Sequence, residues 1–175
     1  MAALIKERCI VIDNWRQLDA EPWLQVGADR LLKDFPENAD LLVPLRLWEL
    51  RRTELLERRG RVGILLDAWD EIEPLAQDLR HFALIAIRVA QLADGRAYSL
   101  ASLLRDRHGY RGELRATGAV LRDNLDFLAL CGFDAFLLRE YQDAKEALSA
   151  FGDFSDAYQA SIGQPTPLFR RRLVA

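Results

Sequence analysis

Residues 94–136 read DGRAYSLASLLRDRHGYRGELRATGAVLRDNLDFLALCGFDAF, and the spacing of apolar residues changes repeatedly along them. Leu100–Arg107 has apolar residues at helical intervals, Ser99 is a suitable N-cap, and His108-Gly109 ends the pattern. Glu113–Thr117 alternates as a strand does. Gly118 and Ala119 then lead into a second helical pattern, Val120–Leu130, closed by Gly132, and Phe133–Leu138 returns to a strand. Two strand–helix units in succession imply parallel strands joined by crossovers.

The same rhythm extends outward. Upstream, Arg61–Leu66 is an apolar strand stopped by Asp67, and Asp70–Leu79 is read as a short helix with Pro74 near its start. Phe82–Val89 is almost continuously apolar, as expected of a strand covered on both faces. Downstream, Asp143–Phe151 is a helix, and Phe154–Ala160 adds a turn or two. The expectation is an α/β fold of repeated strand–helix units with a parallel sheet of about four strands. Consecutive strand order gives half of a barrel; a reversal gives a doubly wound open sheet. The Thr117-Gly118…Cys131-Gly132-Phe133-Asp134 rhythm favours the half-barrel by analogy.

Residues 1–60 form a lead-in layer of short strands and helices. Cys9–Ile12 and Leu41–Pro44 are strand candidates, Glu21–Phe35 holds a short helix, and Leu45–Arg59 is a helix ending at Gly60. A single α/β domain is expected over 1–162, with 61–162 its regular part. Residues 163–175, with two prolines and the run Arg170-Arg171-Arg172, are expected to be a flexible tail.

Half of the 175 residues are apolar, enough for a sizeable core. With 24 Lys+Arg against 27 Asp+Glu, the net charge of −3 gives no reason to expect nucleic acid or an anionic membrane as partner. Lys6, Lys33 and Lys145 are the only lysines, so arginine forks carry almost all positive charge. Cys9 and Cys131 are far apart, form no C-x-x-C pair, and are expected to be reduced and buried. The N-terminus lacks an apolar leader pattern, and no apolar run has the length of a membrane span; a cytoplasmic protein is expected. No G-x-G-x-x-G or G-x-x-x-x-G-K-[ST] motif occurs, so no cofactor is expected. His81 and His108 do not support a metal site. The four tryptophans, 15, 23, 48 and 69, are assigned to core and lid.

In a parallel sheet, sites gather at the carboxyl ends of the strands. Asp67, Trp69 and Asp70 follow the first strand of the regular part. The candidates for holding an anion are Arg88, Arg96, Tyr98, Ser99, Arg115, Arg122 and Arg139, because guanidinium forks fit oxyanions and helix starts near Ser99 and Val120 offer backbone donors. Asp94 and Asp123 are the candidates for acid–base chemistry. Carboxylates nearby in sequence, among them Asp94, Asp123, Asp134 and Glu140, support the competing reading of a ring of salt bridges.

These residues also carry a family resemblance. The segments Asp94-Gly95-Arg96-Ala97-Tyr98-Ser99, Leu103-Leu104-Arg105, Gly112 through Leu125, and Cys131-Gly132-Phe133-Asp134-Ala135-Phe136 resemble the bacterial DUF934 family. Trp15, Val43-Pro44…Trp48 and Phe154-Ser155 fit as well. Ala97 stands where the family usually has glycine, and the usual Phe-Pro before the Asp-Gly-Arg turn is missing. The resemblance implies a role beside assimilatory sulfate and sulfite reduction: an accessory protein binding sulfite reductase, its electron donor or an oxyanion. Some relatives are labelled oxidoreductases from that context alone, and no activity, cofactor or catalytic residue is implied. The alternatives are a small enzyme acting on an anionic substrate at the arginine-rich rim, and a structural homo-oligomer pairing through an exposed strand edge.

Overall fold

The computed structural model describes residues 2–18, 35–153 and 157–172. The helix expected over Glu21–Phe35 falls almost wholly outside them, as do Trp23 and the start of the Phe154–Ala160 piece. In chain order the described elements are β1 (Leu4–Lys6), β2 (Cys9–Val11), β3 (Arg16–Gln17), β4 (Leu41–Pro44), α1 (Leu45–Glu57), β5 (Val62–Asp67), β6 (Phe82–Val89) and α2 (Arg96–Asp106). Then come β7 (Glu113–Gly118), α3 (Leu125–Leu130), β8 (Ala135–Leu137), α4 (Ala144–Ser149) and α5 (Leu168–Arg171).

All eight strands belong to one sheet, ordered β2-β1-β8-β7-β6-β5-β4-β3. From β3 to β8 neighbours are parallel and consecutive. The hairpin β1–β2 adds two strands at the far edge, with β1 antiparallel to β8. The sheet therefore has eight strands where about four were expected. The additional strands come from residues 4–44, and β1 and β3 are only three and two residues long, too short to show a period.

The order carries a geometric consequence. Edge strands β2 and β3 are joined by residues 12–15 alone. Seven inter-strand spacings of ~4.8 Å make ~34 Å of sheet, but five Cα steps reach at most ~19 Å. A flat sheet is excluded. An arc of that contour and chord subtends about half a circle, so the sheet is curled into a half-barrel.

Residues 12–15 cross the concave face as a strap. Asp13 Oδ2 lies 2.8 Å from Arg115 Nη1 on β7, and Trp15 packs on the small cluster of Leu42, Leu65, Leu84 and Ala86. Gly63 makes room for the indole, since a Cβ there would sit 3.1 Å from Trp15 Cζ3 and 3.0 Å from Leu84 O.

The connecting segments pack on the other, convex face. Leu47, Trp48, Ile72, Leu75, Leu104 and Leu128 join Val43, Ile64, Ile85, Ile87, Ala116 and Phe136 of the strands in one continuous core. A doubly wound sheet would divide its helices between two faces, so that alternative is not the one realised. Trp48, 1% exposed, stacks edge-on against Phe82 at 4.6 Å and donates its Nε1 hydrogen to Asp78 at 3.0 Å.

Several elements differ locally from expectation. The helix expected over Asp70–Leu79 is replaced by 3₁₀ turns at Glu73–Leu75 and Leu79–His81. Successive i→i+3 bonds, from Leu75 N–H to Ile72 O, Asp78 N–H to Leu75 O and His81 N–H to Asp78 O, tighten the chain while keeping its apolar face inward. Helix α2 begins at Arg96, so Ser99 is not its cap; its hydroxyl donates to Gly95 O at 3.2 Å. The helix expected from Val120 opens as a 3₁₀ turn, Arg122–Asn124, and becomes α3 only at Leu125. Cys9, expected to be buried, is exposed on edge strand β2, and Cys131 is half-buried. Of the described tryptophans, Trp48 lies in the core, Trp15 on the strap, and Trp69 is 62% exposed. The tail beyond 163 carries the short helix α5, tied by Leu168 N–H to Tyr158 O at 3.1 Å.

Candidate functional site

The carboxyl ends of β5, β6 and β7 place Asp67, Arg88 and Thr117 in register, one row across the concave side. Arg88 Nε is 3.5 Å from Asp67 Oδ1, with both side chains well exposed. Gly118 ends β7 with φ +87°, and a Cβ there would meet Val89 O at 2.6 Å and Arg88 Cγ at 3.4 Å. On its other side, Arg139 Nε donates to Gly118 O at 3.1 Å. Arg88 and Arg139 thus flank Gly118.

Asp70, just past β5, accepts the Asp67 N–H at 2.7 Å. Burial pushes its carboxyl above the usual range; the Asp67 amide and Arg88 oppose that, while the charges of Asp67 and Glu49 reinforce it.

The other expected residues are distributed around this row. Asp94 Oδ1 accepts the Arg96 N–H at 3.1 Å and also lies 3.3 Å from Arg96 Nε. The Arg96 guanidinium lies over Trp69, 5.8 Å from its ring centre. Tyr98 is buried; its hydroxyl accepts from Asn124 Nδ2 at 3.3 Å and its ring tilts against Phe127 at 5.1 Å. Arg122 Nη2 reaches Asp153 Oδ2 at 2.9 Å and Ser149 Oγ at 3.2 Å. Asp123 is exposed on the 3₁₀ turn. Arg96 therefore turns toward the β5 side and Arg122 toward the β8 side. The backbone donors expected for an anion are committed too: the N–H groups of Arg96, Leu121 and Arg122 go to Asp94, Asn124 and Gln142.

Arg115 lies one row deeper. At 2% exposure it is held between Asp13, at 2.8 Å, and Glu113, at 2.7 Å, and Glu113 also takes Lys6 at 2.8 Å. Burial pushes the Glu113 carboxyl upward, but Lys6 and Arg115 more than offset it, leaving it below the usual range. This closed network seats the strap.

Sequence reasoning passed over Arg105, the most heavily bonded arginine described. Its Nε donates to Gly132 O at 2.9 Å, its Nη1 to Tyr110 O and Gly112 O at 2.8 and 2.9 Å, and its Nη2 to Asp134 at 2.7 Å. Asp134 Oδ1 also accepts the Leu114 N–H. The cluster lies at the amino ends of β7 and β8, the side of a βα array concerned with stability. The sequence signal was Arg105 at the end of an otherwise apolar helical stripe. Such a position in the core needs several acceptors.

Two adjoining hollows lie on the helix side. The larger, about 750 Å³, lies between α2, α3 and residues 157–165; the smaller, about 610 Å³, runs on toward Gly95 and Ser99. Tyr98 and Ser99 line the smaller one; none of the expected arginines lines either.

A mostly parallel α/β sheet, wound consecutively into a half-barrel and bearing an arginine-rich rim largely neutralised from within, defines the class of protein. The chain belongs to the DUF934 family, bacterial proteins of unknown function, whose pattern matches residues 63–169. That span begins in β5 and runs into α5, so β1 to β4 and the strap precede it. No curated protein matches the chain. Among the described residues no helix is long and apolar enough to cross a membrane.

Proposed function

We propose that the chain is an accessory protein of assimilatory sulfite reduction, working by binding a partner protein of that process, sulfite reductase or its electron donor. The process comes from the family resemblance. The choice of a protein partner over an anion rests on one observation. Arg96, Arg115 and Arg122 are each held by carboxylates of the same chain, and the helix-start donors beside them are already bonded. An incoming oxyanion would have to displace those partners and leave them unpaired.

Co-purification from cells growing on sulfate tests this: a tagged chain retains the reductase or its donor. Undiminished growth on sulfate in a clean deletion strain, together with failure to retain either protein, overturns the proposal.

A second reading, binding of a small oxyanion, has support at Arg88 and Arg139. They flank Gly118, and among the described residues Arg139 contacts only a carbonyl oxygen. Sulfite titrated by calorimetry decides it. Saturable heat that disappears in Arg88→Ala/Arg139→Ala supports the anion site, and no heat in the unaltered protein removes it.

A further inference from the structure

We infer that the hollow between α2, α3 and residues 157–165 is a binding site for a small organic cation, an aromatic or alkyl group bearing a positively charged nitrogen. The proposal stands apart from the sulfite reading and uses none of the rim residues.

The first observation is size and lining. A volume of about 750 Å³ falls in the range of small-molecule sites. Leu130, Ile162 and Pro165 contribute apolar surface, and residue 162 is fixed in place by its N–H to Leu130 O at 3.2 Å. The adjoining hollow shares Ser102, Asp106, Phe127 and Cys131 with the larger one, so a ligand longer than one ring has continuous space along α2.

The second is the aromatic surface. Phe127 is 57% exposed and Tyr158 is 68% exposed, and both contribute to the wall. Phe127 is backed by the buried ring of Tyr98. Exposed ring faces beside an apolar hollow attract cations as well as hydrocarbon.

The third is charge. Asp106 at the end of α2 and Asp126 in the first turn of α3 lie in the lining; among the described residues no lysine or arginine lines the larger hollow, and Arg107, on the wall of the smaller one, lies 3.5 Å from Glu73. Neither aspartate forms a side-chain hydrogen bond or ion pair among the described residues. This differs from the rim, where carboxylate and guanidinium neutralise each other. Apolar walls, ring faces and two carboxylates with no described countercharge in the larger hollow favour a cation there and disfavour an anion of the same shape.

The test uses two probes of similar size, 3-phenylpropylammonium and 4-phenylbutyrate, titrated into the full chain and followed by amide NMR shifts. The expected result is saturable shifts at Ser102, Phe127 and Ile162 with the ammonium, and affinity for the carboxylate weaker by roughly tenfold or more. Asp106→Asn/Asp126→Asn should erase the preference and leave residual binding of both probes. Phe127→Ser should weaken both; since Phe127 is exposed, this variant is expected to fold, and its dispersed amide spectrum checks that. Equal affinity for the two probes, shifts at other residues, or no saturation by the ammonium overturns the proposal.

Discussion

Arg105 and Gly132 show how little tolerance the amino end of the β7–β8 pair has. Four hydrogen bonds converge on the buried guanidinium, and Gly132 adopts φ +106° with the Arg105 Cγ 2.7 Å from where a Cβ would sit. Arg105→Lys keeps the charge but cannot reproduce the fork. Denaturant unfolding should show a loss of about 2–4 kcal/mol, because buried acceptors are left unpaired. Gly132→Ala should cost about 1–3 kcal/mol from backbone strain and the close contact with Arg105.

Acid sensitivity belongs to the same scale. The Arg52 guanidinium and then the Trp48 N–H hold the Asp78 carboxyl below its usual range, and Arg61 does so for Asp40. A carboxyl lowered in the folded state binds fewer protons there than when unfolded. Its contribution is complete above the unfolded pKa and is lost as pH falls through the folded one. Stability should therefore fall from about pH 4 downward, and Asp78→Asn should flatten that slope while lowering stability at neutral pH. A slope unchanged in Asp78→Asn would assign the acid response to other carboxylates.

At the level of elements, the start of α2 separates what the sequence could show from what it could not. The apolar stripe placed the helix correctly. Ser99 looked like the cap because its type favours that position, yet Asp94 already binds the Arg96 N–H and the helix takes in four more residues, Arg96 to Ser99. Ser99→Ala should change stability by less than ~0.5 kcal/mol, whereas Asp94→Ala should cost about 1 kcal/mol. Thermal unfolding of the two variants distinguishes these assignments. The 3₁₀ turns after β5 are the opposite case: buried Ile72, Leu75 and Leu79 keep a helix-like spacing, and only the backbone bonding reveals the tighter winding.

The strap is a second element whose role depends on distant partners. Asp13 and Trp15 are ordinary turn residues until β7 and β5 are placed beneath them. Gly63→Ala should destabilise by about 1–2 kcal/mol through crowding against Trp15 and Leu84. Combination with Trp15→Ala should recover part of that loss, since only the indole contact is relieved. Strict additivity of the two substitutions would place Trp15 elsewhere.

For the whole molecule, the consecutive parallel strands from β5 to β8 were legible because each is long or apolar enough to set its own period. The eight-stranded sheet was not, because β1 and β3 draw their identity from neighbours rather than from their own residues. The rim divides in the same way. Strand-end rules located Arg88, Arg96 and Arg122, but the carboxylates that occupy them include Asp67 and Asp153, which only the fold brings near. The hollow was illegible for a similar reason: its walls come from α2, α3 and residues 157–165, and no motif links those three stretches.

The hairpin at the beginning of the chain pairs with β8, Leu4 lying opposite Leu137. During synthesis, the β1–β2 hairpin emerges well before β8, its partner in the sheet, and has no strand to dock on until nearly the whole domain has followed. The strap waits as well, since Asp13 meets Arg115 only after β7 exists. Closure of this sheet is thus a late event set by the order of translation. Docking covers β1 and leaves β2 as the outer strand, with Ile10, Val11 and Ile12 exposed, so this apolar edge is open to pairing with another chain in the nascent and the folded protein alike.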